Sequence, residues 1–195
     1  MSGPENQTTS ISGDVDIDFL HEIGKNASSV PLSKTLARVA VFVSNVMRCD
    51  SCFVYLLDGR DLVMRASKNP HKDALDRLKI QVGQGITGWV AEHKQTAAIA
   101  QMAYKDARFK TFNELPEDRY EAFLSVPLLC RDKVIGVINV QHRQAYFHTK
   151  RDIQLISTIG FLVAAEIEMA RLEAENWKLN HNLQARNANQ TPAAK

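Results

Sequence analysis

The chain has 195 residues, which suits one domain of ordinary size with tails and is long enough to bury a core. Lysine and arginine total 24 against 22 aspartate and glutamate, and the bases are scattered among the acids, which excludes the clustered basic face of a nucleic-acid reader and any need for an anionic membrane. Three cysteines argue against a disulfide framework, and the polar, acidic start from Met1 to Asp18, with no apolar run of membrane-span length, makes a cytoplasmic protein without a membrane partner the expectation.

Residues 1–16, rich in Ser, Thr, Asn and Gly, read as a disordered arm, and Ile17 to Gly24 as a short amphipathic helical piece. After Ser28 and Ser29, with Pro31 suited to a first helical position, apolar residues recur at Leu32, Leu36, Val39, Ala40, Val43, Val46 and Met47, which is helical spacing. Cys52 to Leu57 is short, aromatic and branched, and Asp58-Gly59 ends it before Leu62 to Ala66. That pair supplies the positive backbone angles of a tight hairpin, so the two runs are antiparallel neighbours.

Residues 67–121 read mostly as connection. Lys72 to Gln81 is too charged for the buried central strand of a parallel sheet. The run Val82 to Val90 then spells G-x-G-x-x-G through Gly83, Gly85 and Gly88. As a dinucleotide fingerprint it needs an apolar strand before it, a full helix after it and an acid about 20 residues on. The glycines lead instead into a helix of about two and a half turns, Ile86 to Lys94, and then a strand-like Thr96 to Ala100. Asp106 lies in a polar loop and is weak support, so the nucleotide-binding reading is set aside. The opening of this helix could receive an anion through the amides around Ile86 and Thr87. The preferred reading is plainer: Gly83 and Gly85 make the turn and Gly88 lets Trp89 pack closely. Gln101 to Tyr120 is irregular, and a loop that long is more often functional than filler.

A second hairpin, Ala122 to Leu129 and Val134 to His142, turns at Arg131-Asp132. Thr149-Lys150-Arg151-Asp152 is a capping box that opens a long helix. Its apolar positions Ile156, Gly160, Val163, Ile167, Ala170, Ala174 and Trp177 step by three and four as a heptad seam, widened by Leu172, Leu179 and Leu183. Ile153 to Ala170 can pack on a sheet. The remainder, residues 173–186, is a coiled-coil-like extension, and 187–195 is a polar tail. The element order specifies an α+β fold: a central antiparallel sheet with terminal helices on one face and long loops with short helices on the other.

Four stretches in order, Cys52 to Asp58, Val82 to Val90, Phe123 to Leu128 and Val134 to Val140, resemble the successive motifs of a GAF domain. The likeness covers roughly Leu32 to Leu172, within a domain bounded at 17–172. Phe123 to Leu128 and Val134 to His142 especially resemble the GAF domain that heads nitrogen-branch phosphotransferase enzyme I, whose large catalytic part is not expected here. The resemblance implies a ligand site on the sheet face opposite the terminal helices. Strand alternation turns Leu124, Val126, Leu128, Gly136, Ile138 and Val140 to the helices, leaving Phe53, Tyr55, Phe123, Ser125, Val137, Asn139 and Gln141 on the other face. With Ile86 and Thr87 they form the candidate ligand-binding set, apolar with a few oriented polar groups. The plainer alternative is that the polar members satisfy buried loop backbone. Asp106-Ala107-Arg108-Phe109 resembles a recurrent family segment that pins the loop by an Asp–Arg pair.

Cys49-Asp50-Ser51-Cys52 is a C-x-x-C, and thiol chemistry at Cys49, Cys52 or Cys130 is the enzymatic alternative. The free methionine sulfoxide reductase branch uses cysteines in this fold, but the cysteine expected near the glycine run is absent and Thr87 stands in that segment. The cyclic-nucleotide signature of the family cannot be traced. No histidine pair at i, i+4 suggests a metal, His142 and His148 are expected to face solvent, and no cofactor, haem or bilin is expected. The seam beyond the domain predicts a homodimer through Leu32 to Met47 and Ile153 to Leu183. The expected function is therefore a non-enzymatic sensor that binds an unknown small-molecule ligand and signals through its dimer helices to a partner protein. A ligand-free interaction module is the remaining alternative.

Overall fold

Alternating buried side chains put two apolar layers on opposite faces of one sheet in the computed structural model, which describes residues 17–21, 31–68, 74–109 and 119–190. The expected arm at 1–16 and part of the loop before Tyr120 lie outside the described residues. In chain order the elements are α1 (residues 17–21), α2 (Leu32–Met47), β1 (Ser51–Asp58), β2 (Asp61–Ser67), β3 (Lys79–Gln81), α3 (Gly85–His93), β4 (Ala97–Ile99), β5 (Ala122–Cys130), β6 (Lys133–His142) and α4 (Lys150–Gln190). The sheet has six strands in the order β3-β2-β1-β6-β5-β4, and the pairings are antiparallel.

α2 and α4 cover one face. Leu36, Val39, Val43 and Met47 from α2 and Ile156, Ile159 and Val163 from α4 are buried against Leu124, Val126, Leu128, Ile138 and Val140. Each such side chain contributes on the order of 1.5–3 kcal/mol by leaving water, so this layer carries much of the stability. The opposite layer joins Phe53, Tyr55, Phe123 and Val137 to Ile86 and Val90 of α3 and to Leu62, Met64 and Ile80 near β3. The capping box forms as the spacing requires: Thr149 N–H donates to Asp152 Oδ2 at 2.8 Å and Asp152 N–H donates to Thr149 Oγ1 at 3.2 Å.

Several details depart from the sequence reading. Lys79–Gln81 is a strand: Ile80 is buried and pairs with Leu62, while Lys79 and Gln81 are exposed, which fits a short edge strand rather than a central one. In the first hairpin Asp58 still pairs with Asp61, and Gly59 supplies the positive φ of +62°. α4 contains a stretch long and apolar enough to cross a membrane by length and composition, contrary to expectation. Within it Ile156, Ile159, Val163, Ala164 and Ile167 are buried in the helix-side core, while Phe161 and Met169 are exposed. Burial along α4 ends at Ile167, so Ala170 is exposed rather than packed, and the helix continues to Gln190, into the segment read as tail.

Candidate functional site

The nine candidate ligand-binding residues come together on the face opposite α2 and α4. Phe53 and Tyr55 project from β1 with their rings edge to face, 6.4 Å apart. Register places Phe53 opposite Asn139 and Tyr55 opposite Val137 on β6, and Phe123 opposite Gln141 and Ser125 opposite Asn139 across β5. Ile86 and Thr87 stand in the first turn of α3, which lies over this face, and all nine are buried.

A chain of neutral hydrogen bonds ties the helix to the sheet. Ser125 Oγ donates to Asn139 Oδ1 at 2.7 Å, and Asn139 Nδ2 donates to Thr87 Oγ1 at 2.8 Å. These are contacts between side chains, so the polar residues satisfy one another rather than loop backbone. Gln141 differs: it is buried, yet its Oε1 has no hydrogen-bond partner among the described residues. Directly across the β1–β6 ladder stands Ser51, also buried, and its Oγ is likewise without a partner. Ser51 was missed by sequence reasoning because it sits at the very start of a strand. Its alternation with Phe53 was the signal that could have found it.

The glycine turn has a different reason from the one expected for Gly88. A Cβ there would collide with the carbonyl oxygen of Gln81, so Gly88 permits the start of α3 to lie against the end of β3. Trp89 packs elsewhere, stacked on His93 at 4.4 Å and beneath the Arg108 guanidinium at 4.5 Å. The Glu92 carboxylate already occupies the approach to Gly83, 3.2 Å from where a Cβ would stand, so the turn is poorly suited to an anion. Arg108 is held in a fork on Asp106, with Nε and Nη2 each 2.9 Å from a carboxylate oxygen, and its hydrogen bonds keep Asp106 below the ordinary carboxylate range. Asp106 and Arg108 thereby pin the start of the long loop to α3.

The cysteines lie on the other side. Cys49 and Cys52 belong to the helix-side core and Cys130 packs against it. Burial raises the Cys49 thiol and raises Cys52 well above its ordinary value, which keeps both protonated. Contrary to expectation, His142 and His148 are buried, because residues 143–149 fold back over the sheet end, stacking Tyr146 on His142 and setting His148 edge-on to Tyr146. Among the described residues no group of three or more His, Cys, Asp or Glu is placed to hold a metal.

The GAF domain family model matches residues 31–167, spanning both helix layers, the sheet and the candidate site. The chain belongs to the GAF domain family. It is 27% identical over 158 residues to the phosphoenolpyruvate-dependent phosphotransferase system protein of Escherichia coli, covering 80% of this chain and 21% of that protein. The chain thus spans about a fifth of that relative's length. The GAF domain of an Acinetobacter phosphoenolpyruvate-protein phosphotransferase superposes with a TM-score of 0.73 at 25% identity, covering 82% of this chain and 96% of that one. Free methionine-R-sulfoxide reductase from Neisseria meningitidis, solved with its substrate, has a TM-score of 0.68 at 15% identity, covering 89% of this chain and 99% of that one. That last likeness is one of fold. GAF domains are commonly regulatory modules that sense small molecules.

Proposed function

We propose that this GAF domain is a cytoplasmic small-molecule sensor that binds its ligand on the face bearing Phe53, Tyr55, Ile86, Thr87, Phe123, Ser125, Val137, Asn139 and Gln141. The observation that carries the reading is the buried polar row set among aromatics, with Asn139 holding α3 and Gln141 left with an unmet oxygen. A ligand that competes for Asn139 or Gln141 acts on β6, and β6 leads directly through residues 143–149 into α4. Ligand contacts would bear on the start of the long loop, residues 101–109. They would also shift the packing of α4, by no more than the ligand's difference in affinity for the two arrangements. The test is a thermal-shift screen of metabolites on the full chain, since a bound ligand stabilises by mass action. A hit should lose at least about tenfold in affinity in Asn139→Ala or Ser125→Ala, the equivalent of one buried hydrogen bond. Unchanged affinity in both would remove the site.

The signal is proposed to leave through a homodimer, and to reach a partner protein, by way of α2 and the Ile153 to Leu183 part of α4. Leu172, Trp177, Leu179 and Leu183 are each more than half exposed, a row of large apolar side chains that a single copy leaves in water. Light scattering should give twice the monomer mass, and Leu172→Glu with Trp177→Glu should halve it. A monomeric wild type at high concentration would contradict the dimer.

A thiol enzyme is the weaker alternative, because all three cysteines stand on the helix side and the two buried ones resist ionisation. Serine at Cys49, Cys52 and Cys130 in turn tests it through loss of any thiol-dependent reduction of free methionine sulfoxide. The ligand-free interaction module draws support from the mutual saturation of Ser125, Asn139 and Thr87. A screen without hits favours that reading.

A further inference from the structure

The two faces of the sheet differ in the ionisable groups they bury. Behind β6 on the helix side and along α4 lie ionisable side chains, His142, His148 and Glu166. The loop-covered face instead buries Ser51, Thr87, Ser125, Asn139 and Gln141, all neutral. The nearby guanidinium of Arg108 is engaged by Asp106. Among the buried side chains described on this face an ion would therefore give up its water without meeting a counter-charge, a heavy desolvation penalty.

This face does offer a matched pair of unmet groups. Ser51 and Gln141 are Cα partners on adjacent antiparallel strands, so their side chains rise side by side from the same face. Ser51 is fully buried and Gln141 is 6% exposed, and neither Ser51 Oγ nor Gln141 Oε1 has a partner among the described residues. An amide oxygen accepts, from an N–H or an O–H, while a hydroxyl can donate to a carbonyl as well as accept. Phe123, opposite Gln141 on β5, and Phe53, two residues along from Ser51, supply flat apolar surface beside them. One small planar group answers both demands: an uncharged amide that presents N–H and C=O from adjacent atoms.

We infer that Ser51 and Gln141 form the recognition edge of the sensor site, and that its ligand is an uncharged planar molecule bearing a carboxamide or a lactam, of the nicotinamide or uracil kind. This rests on the reading of this face as a ligand site. The N–H donates to Gln141 Oε1, the Ser51 hydroxyl donates to the ligand carbonyl, and the ring lies against the phenylalanines. An occupied edge no longer leaves buried polar atoms unmet, a source of affinity that a carboxylate of the same shape uses only in part, since it has no N–H to give Gln141 Oε1.

The test uses the full chain and two matched pairs of probes, nicotinamide against nicotinate and pyrazinamide against pyrazinoate. Binding is followed by calorimetry and by the side-chain amide signal of Gln141 in a nitrogen-15 spectrum. The neutral member of at least one pair should bind at least about tenfold tighter than its acid and move that signal. Gln141→Leu, an apolar replacement that removes a buried unmet oxygen, should keep its melting temperature within a few degrees or raise it, and should abolish the preference. Ser51→Ala should weaken the same probe. If the acids bind as well as the amides, or if no probe moves Gln141, the inference is overturned. The sensor reading falls only if the wider metabolite screen is empty as well.

Discussion

Gly136→Ala should destabilise the protein by about 3 kcal/mol or more, the upper range for forcing extra volume into a packed interior. Gly136 lies in β6 opposite Leu56 of β1 and Leu128 of β5. An added Cβ would fall on the carbonyl oxygen of Tyr55, with Leu128 Cδ1 at 3.0 Å on another side. The obstructing atom is backbone in the middle of a sheet, so it cannot swing away as a side-chain end could. β6 would have to move off β1, taking Asn139 and Gln141 with it. A urea midpoint close to that of the wild type would show that β1 and β6 can separate without cost, and would undermine the register on which the candidate site depends.

Acidification from pH 7 towards pH 4 should remove stability through the buried histidine pair. Burial, and secondarily the charge of His142, lower His148 to about 4 from its ordinary 6.5, against a smaller opposing pull from Asp152. Burial also lowers His142, opposed by Asp50 and Asp152. Both groups take up protons more readily when unfolded. Their neutral forms therefore give full stability above about pH 6.5, and that contribution is lost as the pH falls through the folded values. For His148 the shift, discounted for partial screening by solvent, corresponds to on the order of 2 kcal/mol. Glu166 works in the opposite sense, because burial raises its carboxyl and folding then gains as the pH falls through that range. His148→Leu isolates the histidine contribution. Urea midpoints at pH 7 and pH 4.5 should differ strongly in the wild type and much less in the variant, and equal losses in both would refute the assignment.

Some of these features are written locally in the chain and others are not. Strand alternation in Phe53 to Leu57, Phe123 to Leu128 and Val137 to Gln141 is a local consequence of the pleat, so both faces were legible in the sequence. The Thr149–Asp152 cap was legible for the same reason, since its partners lie three residues apart. β3 was not, because three residues with one apolar side chain carry no period and its pairing with Leu62 is made by distant chain. The burial of His142 and His148 depends on residues 143–149 folding back, a tertiary event with no local signature. Gly88 stands out in its motif, but the carbonyl it avoids belongs to Gln81 at the end of β3. Within the site, the aromatic and amide members were legible from alternation, whereas the direct opposition of Ser51 and Gln141 appears only in the paired register.

The most direct test of the sensor account follows the side-chain amides of Asn139 and Gln141 by nitrogen-15 correlation spectroscopy while a stabilising compound from the thermal-shift screen is titrated in. Both amides should move with the same saturation curve, together with backbone amides at the start of α4 that β6 feeds. A compound that stabilises the protein yet leaves both side-chain amides in place would contradict a ligand site on this face.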